Sequence, residues 1–398
     1  MAHRSEMSAG YEGARLAIVI EIIPPYRIPV FNLLGKCLGD NLLVLFMSAQ
    51  GGREWMVPAS RLCFPYKVMN GVRLTGRTYD PFPRYWNPEV VRHLTDFSPT
   101  LIIIGGYHHP TSYAVWWYAK RRRSKLYLLC ESTPFDKKSR RVWVEGLKWA
   151  FIRTCDGYIV PGKASAAYLK SYGVDERLIV FAPNSIDTDS FPGYAPADDE
   201  LLERERQRFM QEFSLPPFNL LFVGRLAPEK GVEVAIQVVK RLQNDGMEVG
   251  LILVGDGPLR GQLEARVQRE GVRHTAFLGF KQPGEMAFCY RMGDLLIHPA
   301  ESEPWGLVVN EAMTCGVPVL CSPKVGAAQD LVIEDQAGYQ CQSVMEYVTR
   351  VAELMNNPPK LAEMRKRCRE VAATFSPEAC AEGFLRAFRR ASGIGELS

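Results

Sequence analysis

Glu303 and Glu311 bracket the run E-P-W-G-L-V-V-N-E, which continues as A-M-T-C-G-V-P-V. The stretch Leu307–Cys315 reads as a buried helix opened by Pro304-Trp305-Gly306. A helix that begins at Gly306 and Leu307 presents unpaired backbone N–H groups and the positive end of its dipole, which suits an anion. Glu311 lies five residues beyond Gly306, about 7.5 Å along the axis at the helical rise. That is close to the span from a diphosphate to the far edge of its ribose. A carboxylate on the phosphates would be repelled, whereas one beyond them accepts from both hydroxyls of a neutral diol. The run therefore predicts a nucleoside diphosphate lying along a helix start.

Other candidates fall where strands should end. The strand expected over Asn219–Val223 runs into Gly224-Arg225, with Glu229-Lys230-Gly231 just before the next helix. A glycine at 224 lets the backbone approach a ligand, and Arg225 and Lys230 can flank a diphosphate. As a glycosidic bond to that diphosphate breaks, fixed cations stabilise the growing charge more in the transition state than in the ground state. The plainer reading is two solvated loop cations. Gly279-Phe280-Lys281 ends another strand and can line a base pocket or simply turn the chain. Val254-Gly255-Asp256-Gly257-Pro258 imitates a dinucleotide fingerprint, but Arg260 stands where the third glycine belongs, so a tight strand-end turn is the better reading.

Elements that could hold these residues are visible as alternating apolar runs and helical periods. Leu16–Ile23, Leu42–Met47, Leu101–Ile104, Leu126–Leu129 and Gly157–Val160 read as buried strands. Ile28–Leu38, Pro88–Phe97, Thr111–Lys120 and Ala164–Tyr172 read as the helices between them. After a turn-rich stretch from Ala182 to Gly193 and a charged helix, Asp198–Phe213, the pattern restarts. Strands are expected at Asn219–Val223, Gly250–Val254, Thr275–Leu278, Asp294–His298 and Val317–Ser322. Helices are expected at Val232–Asn244, Leu259–Glu270 and Leu307–Cys315, with closing helices at Met345–Asn356, Lys360–Ala373 and Pro377–Ala391. Such alternation predicts two α/β, Rossmann-like, doubly wound parallel-sheet domains. We place their limits at residues 1–190, completed by 377–391, and at 191–376.

The 398 residues suffice for two such cores. No stretch approaches a membrane span, and the first ten residues read as a loose tail rather than a signal peptide. The ten cysteines are scattered without a C-x-x-C pair, so buried free thiols and a cytoplasmic location are expected. Charge is divided unevenly. Residues 1–185 carry 25 Lys+Arg against 14 Asp+Glu, a net of +11, and residues 186–398 carry 23 against 30, a net of −7. Two basic clusters, Lys120–Lys125 and Lys137–Arg141, lie close to Trp116, Trp117, Trp143 and Trp149. They suit a solvated helical face, or a surface for anionic lipid or a phosphorylated acceptor. No recognition motif accompanies them, so nucleic acid is not expected as a partner.

Taken jointly and in order, G-R-L-A-P-E-K-G, V-G-D-G-P-L, F-L-G-F, H-P-A-E-S-E-P-W-G-L-V-V-N-E-A-M-T-C-G-V-P-V and G-A-A-Q-D-L-V resemble glycosyltransferase family 4, the group 1 glycosyl transferases. P-N-S-I-D-T-D-S-F resembles the stretch that joins the two domains in that family. The likeness is strong over residues 157–340, fair over the closing helices and only architectural over 1–155. It implies a retaining, hexosyltransferase-like enzyme of the GT-B fold, its two domains facing across a cleft. The C-terminal domain would bind a nucleotide-sugar donor, and the N-terminal domain a glycan or lipid-linked acceptor. It also implies that Arg225 and Lys230 bind the donor diphosphate, that Glu303 contacts the transferred sugar and that Glu311 holds the ribose. Gly224, Phe280, Gly306 and Leu307 would line the donor.

Neither a cofactor nor a metal is expected from the resemblance. Asp187-Thr188-Asp189 spells a D-x-D metal motif, but its interdomain position reads as turn and capping residues. Where many family members carry a Gly-Gly loop after the first strand, this chain has Pro24-Pro25-Tyr26-Arg27-Ile28-Pro29. Arg27 is the candidate substitute for the missing glycine N–H groups. His108, His109 and Glu131 are strand-end candidates for the N-terminal contribution to the sugar site, and each is equally at home as a structural residue. Two rival functions share these features: a nucleotide-sugar epimerase of related fold, and a non-catalytic nucleotide-sugar-binding protein. The basic first domain leaves membrane association as an added option.

Overall fold

The structure is a computed structural model that describes residues 13–49, 59–75, 84–136, 142–186 and 199–394. The N-terminal tail, the Lys137–Arg141 cluster and Asp187-Thr188-Asp189 lie outside the described residues. The chain divides into two compact units: Met1–Ser132, Lys137–Asp187 and Ser376–Ser398 form the first, and Thr133–Asp136 with Thr188–Phe375 the second.

In chain order the first unit contains β1 (Leu16–Ile20), α1 (Ile28–Leu38), β2 (Leu42–Phe46), β3 (Tyr66–Val68), β4 (Val72–Thr75), β5 (Arg84–Trp86), α2 (Val90–Phe97), β6 (Leu101–Gly105), α3 (Pro110–Arg122), β7 (Lys125–Leu129), α4 (Val142–Arg153), β8 (Gly157–Val160), α5 (Lys163–Ser171) and β9 (Ile179–Phe181). Seven strands form one parallel sheet in the order β3-β2-β1-β6-β7-β8-β9, and β4 and β5 pair separately as an antiparallel ribbon. β1 is central, with Leu16 opposite Leu42 on one side and Leu101 on the other. Its residues alternate between two cores. Ala17 and Val19 pack with Ile102 and Ile104, whereas Leu16 and Ile18 pack with Leu101 and Ile103. A strand buried on both faces needs no polar alternation, which is why these strands read as continuous apolar runs.

The second unit contains α6 (Asp199–Glu212), β10 (Phe218–Val223), α7 (Val232–Asn244), β11 (Val249–Val254), α8 (Arg260–Glu270), β12 (Thr275–Gly279), α9 (Pro283–Met292), β13 (Leu295–His298), α10 (Leu307–Thr314), β14 (Val319–Cys321), α11 (Ala328–Leu331), β15 (Gly338–Gln340), α12 (Val344–Met355) and α13 (Pro358–Ala373). Its six parallel strands run β12-β11-β10-β13-β14-β15. The last helix, α14 (Pro377–Ser392), belongs to the first unit. Its Phe384 and Phe388 enter the core beside Phe31 of α1, with the Phe31 and Phe384 rings edge-on at 6.5 Å.

Several elements were not expected from the sequence. β3, β9 and β15 are three-residue strands at or near sheet edges, too short to show a period. α9 begins with Pro283-Gly284, which reads as a loop. Its start is secured by proline in the first turn and by a capping box between Gln282 and Glu285. α4 escapes notice because many of its large apolar residues face outward. None of the ten cysteines, all among the described residues, forms a disulfide, and seven are buried. No helix among the described residues is long and apolar enough to cross a membrane.

Candidate functional site

In the second unit β10 comes first. The chain moves outward through β11 and β12, then returns to the other side of β10 at β13. Ligands of open α/β sheets bind beyond the carboxyl ends of the strands where the order reverses. Here that point lies between the ends of β10 and β13, and seven of the eight residues expected to bind a donor follow those two ends.

Gly224 and Leu226 tie the end of β10 to its neighbour: Gly224 N–H donates to Val254 O at 3.0 Å and Leu226 N–H to Asp256 O at 2.9 Å. Arg225 between them is exposed: its backbone O accepts from Ala227 N–H at 2.9 Å, and its side chain makes no hydrogen bond or ion pair among the described residues. The chain then makes a 3-10 turn, Pro228–Lys230, and enters α7 through Gly231 at φ +67°. A Cβ on Gly231 would sit 2.1 Å from Pro299 O, so only glycine lets this turn lie against the segment after β13. Glu301 N–H closes the contact by donating to Glu229 O at 3.0 Å.

That contact brings Lys230 to Glu303, seventy-three residues away, in a direct ion pair. Both side chains are largely shielded, 22% and 14% exposed. Burial pushes the Glu303 carboxyl up, but His298, with Nε2 3.5 Å away, and Lys230 outweigh it and hold the group down at about 2. Glu303 is thus a carboxylate throughout the working pH range. Its backbone is fixed by Glu303 N–H to Lys324 O at 3.2 Å and Gly326 N–H to Glu303 O at 2.9 Å.

Gly306 caps α10 at φ +93°, with its site for a Cβ only 3.0 Å from Val325. Trp305 is buried, and its Nε1–H donates to Asn310 Oδ1 at 2.8 Å, which anchors the helix start. Val309 N–H turns back to Gly306 O at 2.9 Å, and the N–H groups of Leu307 and Val308, at the first two helical positions, have no partner within the helix. Glu311 follows on the same helix and accepts from Tyr290 Oη–H at 2.5 Å. Burial pushes its carboxyl up to about 7, against the opposing pull of that hydrogen bond. Phe280, beyond the end of β12, is 54% exposed.

In the first unit the strand order reverses between β1 and β6. Glu21 follows β1, and His108 and His109 follow β6. Glu21 Oε2 lies 3.5 Å from His109 Nε2 and 4.0 Å from His108 Nε2, and the two rings meet at a tilt of 42° with centroids 3.9 Å apart. Burial, then the neighbouring His109, pulls His108 down to about 4, so it is neutral at pH 7. These three groups come close enough to suggest a metal site. However, Tyr85 N–H donates to His109 Nδ1 at 3.3 Å, which leaves the proton of the neutral ring on Nε2. His109 therefore offers Glu21 a hydrogen-bond donor rather than a lone pair for a metal.

Arg27 is buried, at 3% exposure. Its Nη2 donates to Glu131 Oε1 at 2.6 Å and Asn184 Oδ1 at 2.9 Å, and its plane lies over the Tyr26 and Phe384 rings. The guanidinium clamps the start of α1 to the end of β7 and to α14. Breaking a buried pair costs about 3–5 kcal/mol, and less where one partner is partly solvated. Glu131 is 38% exposed. Arg27→Ala should therefore lower stability by roughly 2 kcal/mol, read from the urea midpoint. Unchanged kinetics for donor and acceptor in that variant would remove Arg27 from substrate binding.

Sequence reasoning missed Glu21, Tyr290 and His298. His298 ends β13 next to Pro299 and was readable as a strand-end residue. Tyr290 lay in a helix that was not expected, and Glu21 was absorbed into an over-long first strand.

Known proteins match this architecture. The family Glycosyl transferases group 1 matches residues 203–374, and Glycosyltransferase Family 4 matches residues 55–190. An uncharacterized glycosyltransferase of Methanocaldococcus jannaschii is 29% identical over 174 residues, 43% of this chain and 48% of that protein. The 2-deoxystreptamine glucosyltransferase of Streptomyces kanamyceticus is 30% identical over 258 residues, 62% of this chain and 63% of its own. The chain thus spans about half to two thirds of the length of these curated relatives. Among solved structures, Anabaena HepE in complex with UDP superposes with a TM-score of 0.73 at 19% identity, covering 94% of this chain and all of HepE. The likeness to HepE shows the fold, GT-B, and the two family matches together span most of the sequence: the chain belongs to the group 1 glycosyl transferases of glycosyltransferase family 4.

Proposed function

We propose that the protein transfers a sugar from a nucleoside-diphosphate sugar to a hydroxyl of a glycan or lipid-linked acceptor, with the anomeric configuration retained. The observation that carries this reading is the strand-order reversal of the second unit. There Arg225 stands uncommitted, Lys230 is held by Glu303, and a helix start at Gly306 and Leu307 leads to Glu311.

A donor diphosphate at the helix start would draw Lys230 from Glu303 and recruit Arg225. The two cations would take up the charge that develops on the leaving phosphate oxygen. Glu303, always ionised, is then free to accept from hydroxyls of the transferred sugar, and Glu311 from the ribose diol. Gly224 and Phe280 border the phosphates and the base. With two fixed cations in place the reaction needs no metal. Glu21, His108 and His109 serve the sugar and acceptor side, within the first unit. HepE has been crystallised with UDP-glucose, which makes UDP-glucose the first donor to try.

The test is a thermal-shift screen of uridine, guanosine and adenosine diphosphates and their sugars, followed by turnover of the best donor with and without EDTA. The expected result is a raised midpoint with one nucleotide family and α-linked product from an α-linked donor, unaffected by EDTA. Inverted product would remove the retaining mechanism. Isomerised sugar released without an acceptor would make the protein an epimerase. Binding with no consumption of donor would make it a sensor.

A further inference from the structure

On α4 the residues that face outward are Trp143, Gly146, Leu147, Trp149, Ala150 and Arg153. At about 100° per residue they occupy one arc of the helix, and the opposite side buries Phe151 and Ile152 in the core. Surface helices normally turn their polar side to water. Here Trp143 is 66% exposed, Leu147 48% and Trp149 53%, and Arg153 is the one charged residue of the arc.

The neighbouring helix continues this surface. α3 and α4 follow the adjacent strands β6 and β7 and pack into the same core. They are joined where Trp116 Nε1–H donates to Thr154 Oγ1 at 2.9 Å and Lys120 Nζ to Thr154 O at 2.6 Å. α3 adds Trp117, 52% exposed, and ends in exposed Lys120, Arg121, Arg122 and Arg123. Arg121 lies over the Trp117 ring at 5.6 Å, and Arg153 over Trp149 at 5.9 Å. The carboxylates nearby are already engaged. Asp156 pairs with Lys120 and Lys125, and Glu145 accepts from Tyr172 Oη–H at 3.0 Å.

We propose that this face of α3 and α4 is a docking surface for an anionic lipid bilayer. Tryptophans at the rim of the hydrocarbon, with arginines at headgroup level, match both halves of such an interface. A second copy of the chain is a poorer occupant, because a two-fold pairing would set two arginine-bearing rims against each other. The inference goes beyond the transfer reading and does not depend on it, since binding is measured without a donor.

The test is co-sedimentation of the full chain with phosphatidylcholine vesicles, neutral or containing about 30 mol% phosphatidylglycerol. The expected result is binding to the anionic vesicles only, weakened by salt. Combined Trp117→Ala, Trp143→Ala and Trp149→Ala substitution should weaken it by about tenfold or more. These side chains are exposed, so the melting temperature should hold, and brominated lipids should quench the wild-type tryptophan emission. Absence of binding, or binding indifferent to the three substitutions, would overturn the proposal. So would a concentration-dependent dimer that the same substitutions abolish, which would give the face to a second copy.

Discussion

Alanine at position 230 is expected to lower kcat by about 10²-fold or more, because fixed charges aimed at a leaving group are commonly worth about 2.7–4 kcal/mol. The ion pair adds a second consequence. Lys230 and Glu303 shield one another. In Lys230→Ala the carboxylate loses its cation, burial counts for more, and its pKa should climb from about 2. An NMR titration of Glu303 reads that rise directly. Glu303→Gln provides the contrast. It releases Lys230, so the free nucleoside diphosphate should bind more tightly while kcat falls, since the sugar loses its charged acceptor. Near-normal turnover in Lys230→Ala would leave the leaving-group role without support.

The second large effect belongs to Glu311. Partial burial raises its carboxyl to about 7, against the opposing pull of the Tyr290 hydrogen bond. A ribose diol donates to the carboxylate and much less well to the protonated acid. Donor KM should therefore be constant above about pH 7 and rise up to tenfold per unit below it. Donor binding favours the ionised form, so at saturation the break moves to lower pH. Glu311→Ala should raise donor KM by about 10²-fold with a smaller change in kcat, because the ribose contact is alike in the ground and transition states.

Stability provides an independent check on Glu311. Its folded pKa stands above the ordinary 4.5, so the folded state holds the proton more tightly than the unfolded chain. The unliganded protein should lose stability as pH rises from about 4.5 to 7, by on the order of 1–3 kcal/mol. Glu311→Gln keeps an acceptor for Tyr290 and removes the charge, so its melting temperature should exceed that of the wild type at pH 8 but not at pH 4.5. Equal melting temperatures at both pH values would mean that the carboxylate is solvated.

Central strands and helices were readable in the sequence because burial on both faces demands long apolar runs, as Leu101–Gly105 and Val249–Val254 show. The helix start at Gly306 was readable because a glycine followed by Leu307-Val308-Val309 and then a helical period is a local signal. α4 was not. Its tryptophans face outward, and a period of apolar residues reports burial only when those residues are buried. Arg27 was recognised as unusual, but its partners Glu131, Asn184 and Cys380 lie far along the chain.

By itself, then, the sequence determined which groups could meet a diphosphate and a diol, because charge, glycine and strand-end position are properties of short segments. Only the tertiary structure decided that Lys230 neutralises Glu303, that Tyr290 caps Glu311 and that Tyr85 assigns the proton of His109. The first two pairings depend on the order in which parallel strands lie side by side, and the third on where the antiparallel β4-β5 ribbon meets the segment after β6. Short-range patterns carry no record of that order, since each strand could bury its side chains equally well beside several others.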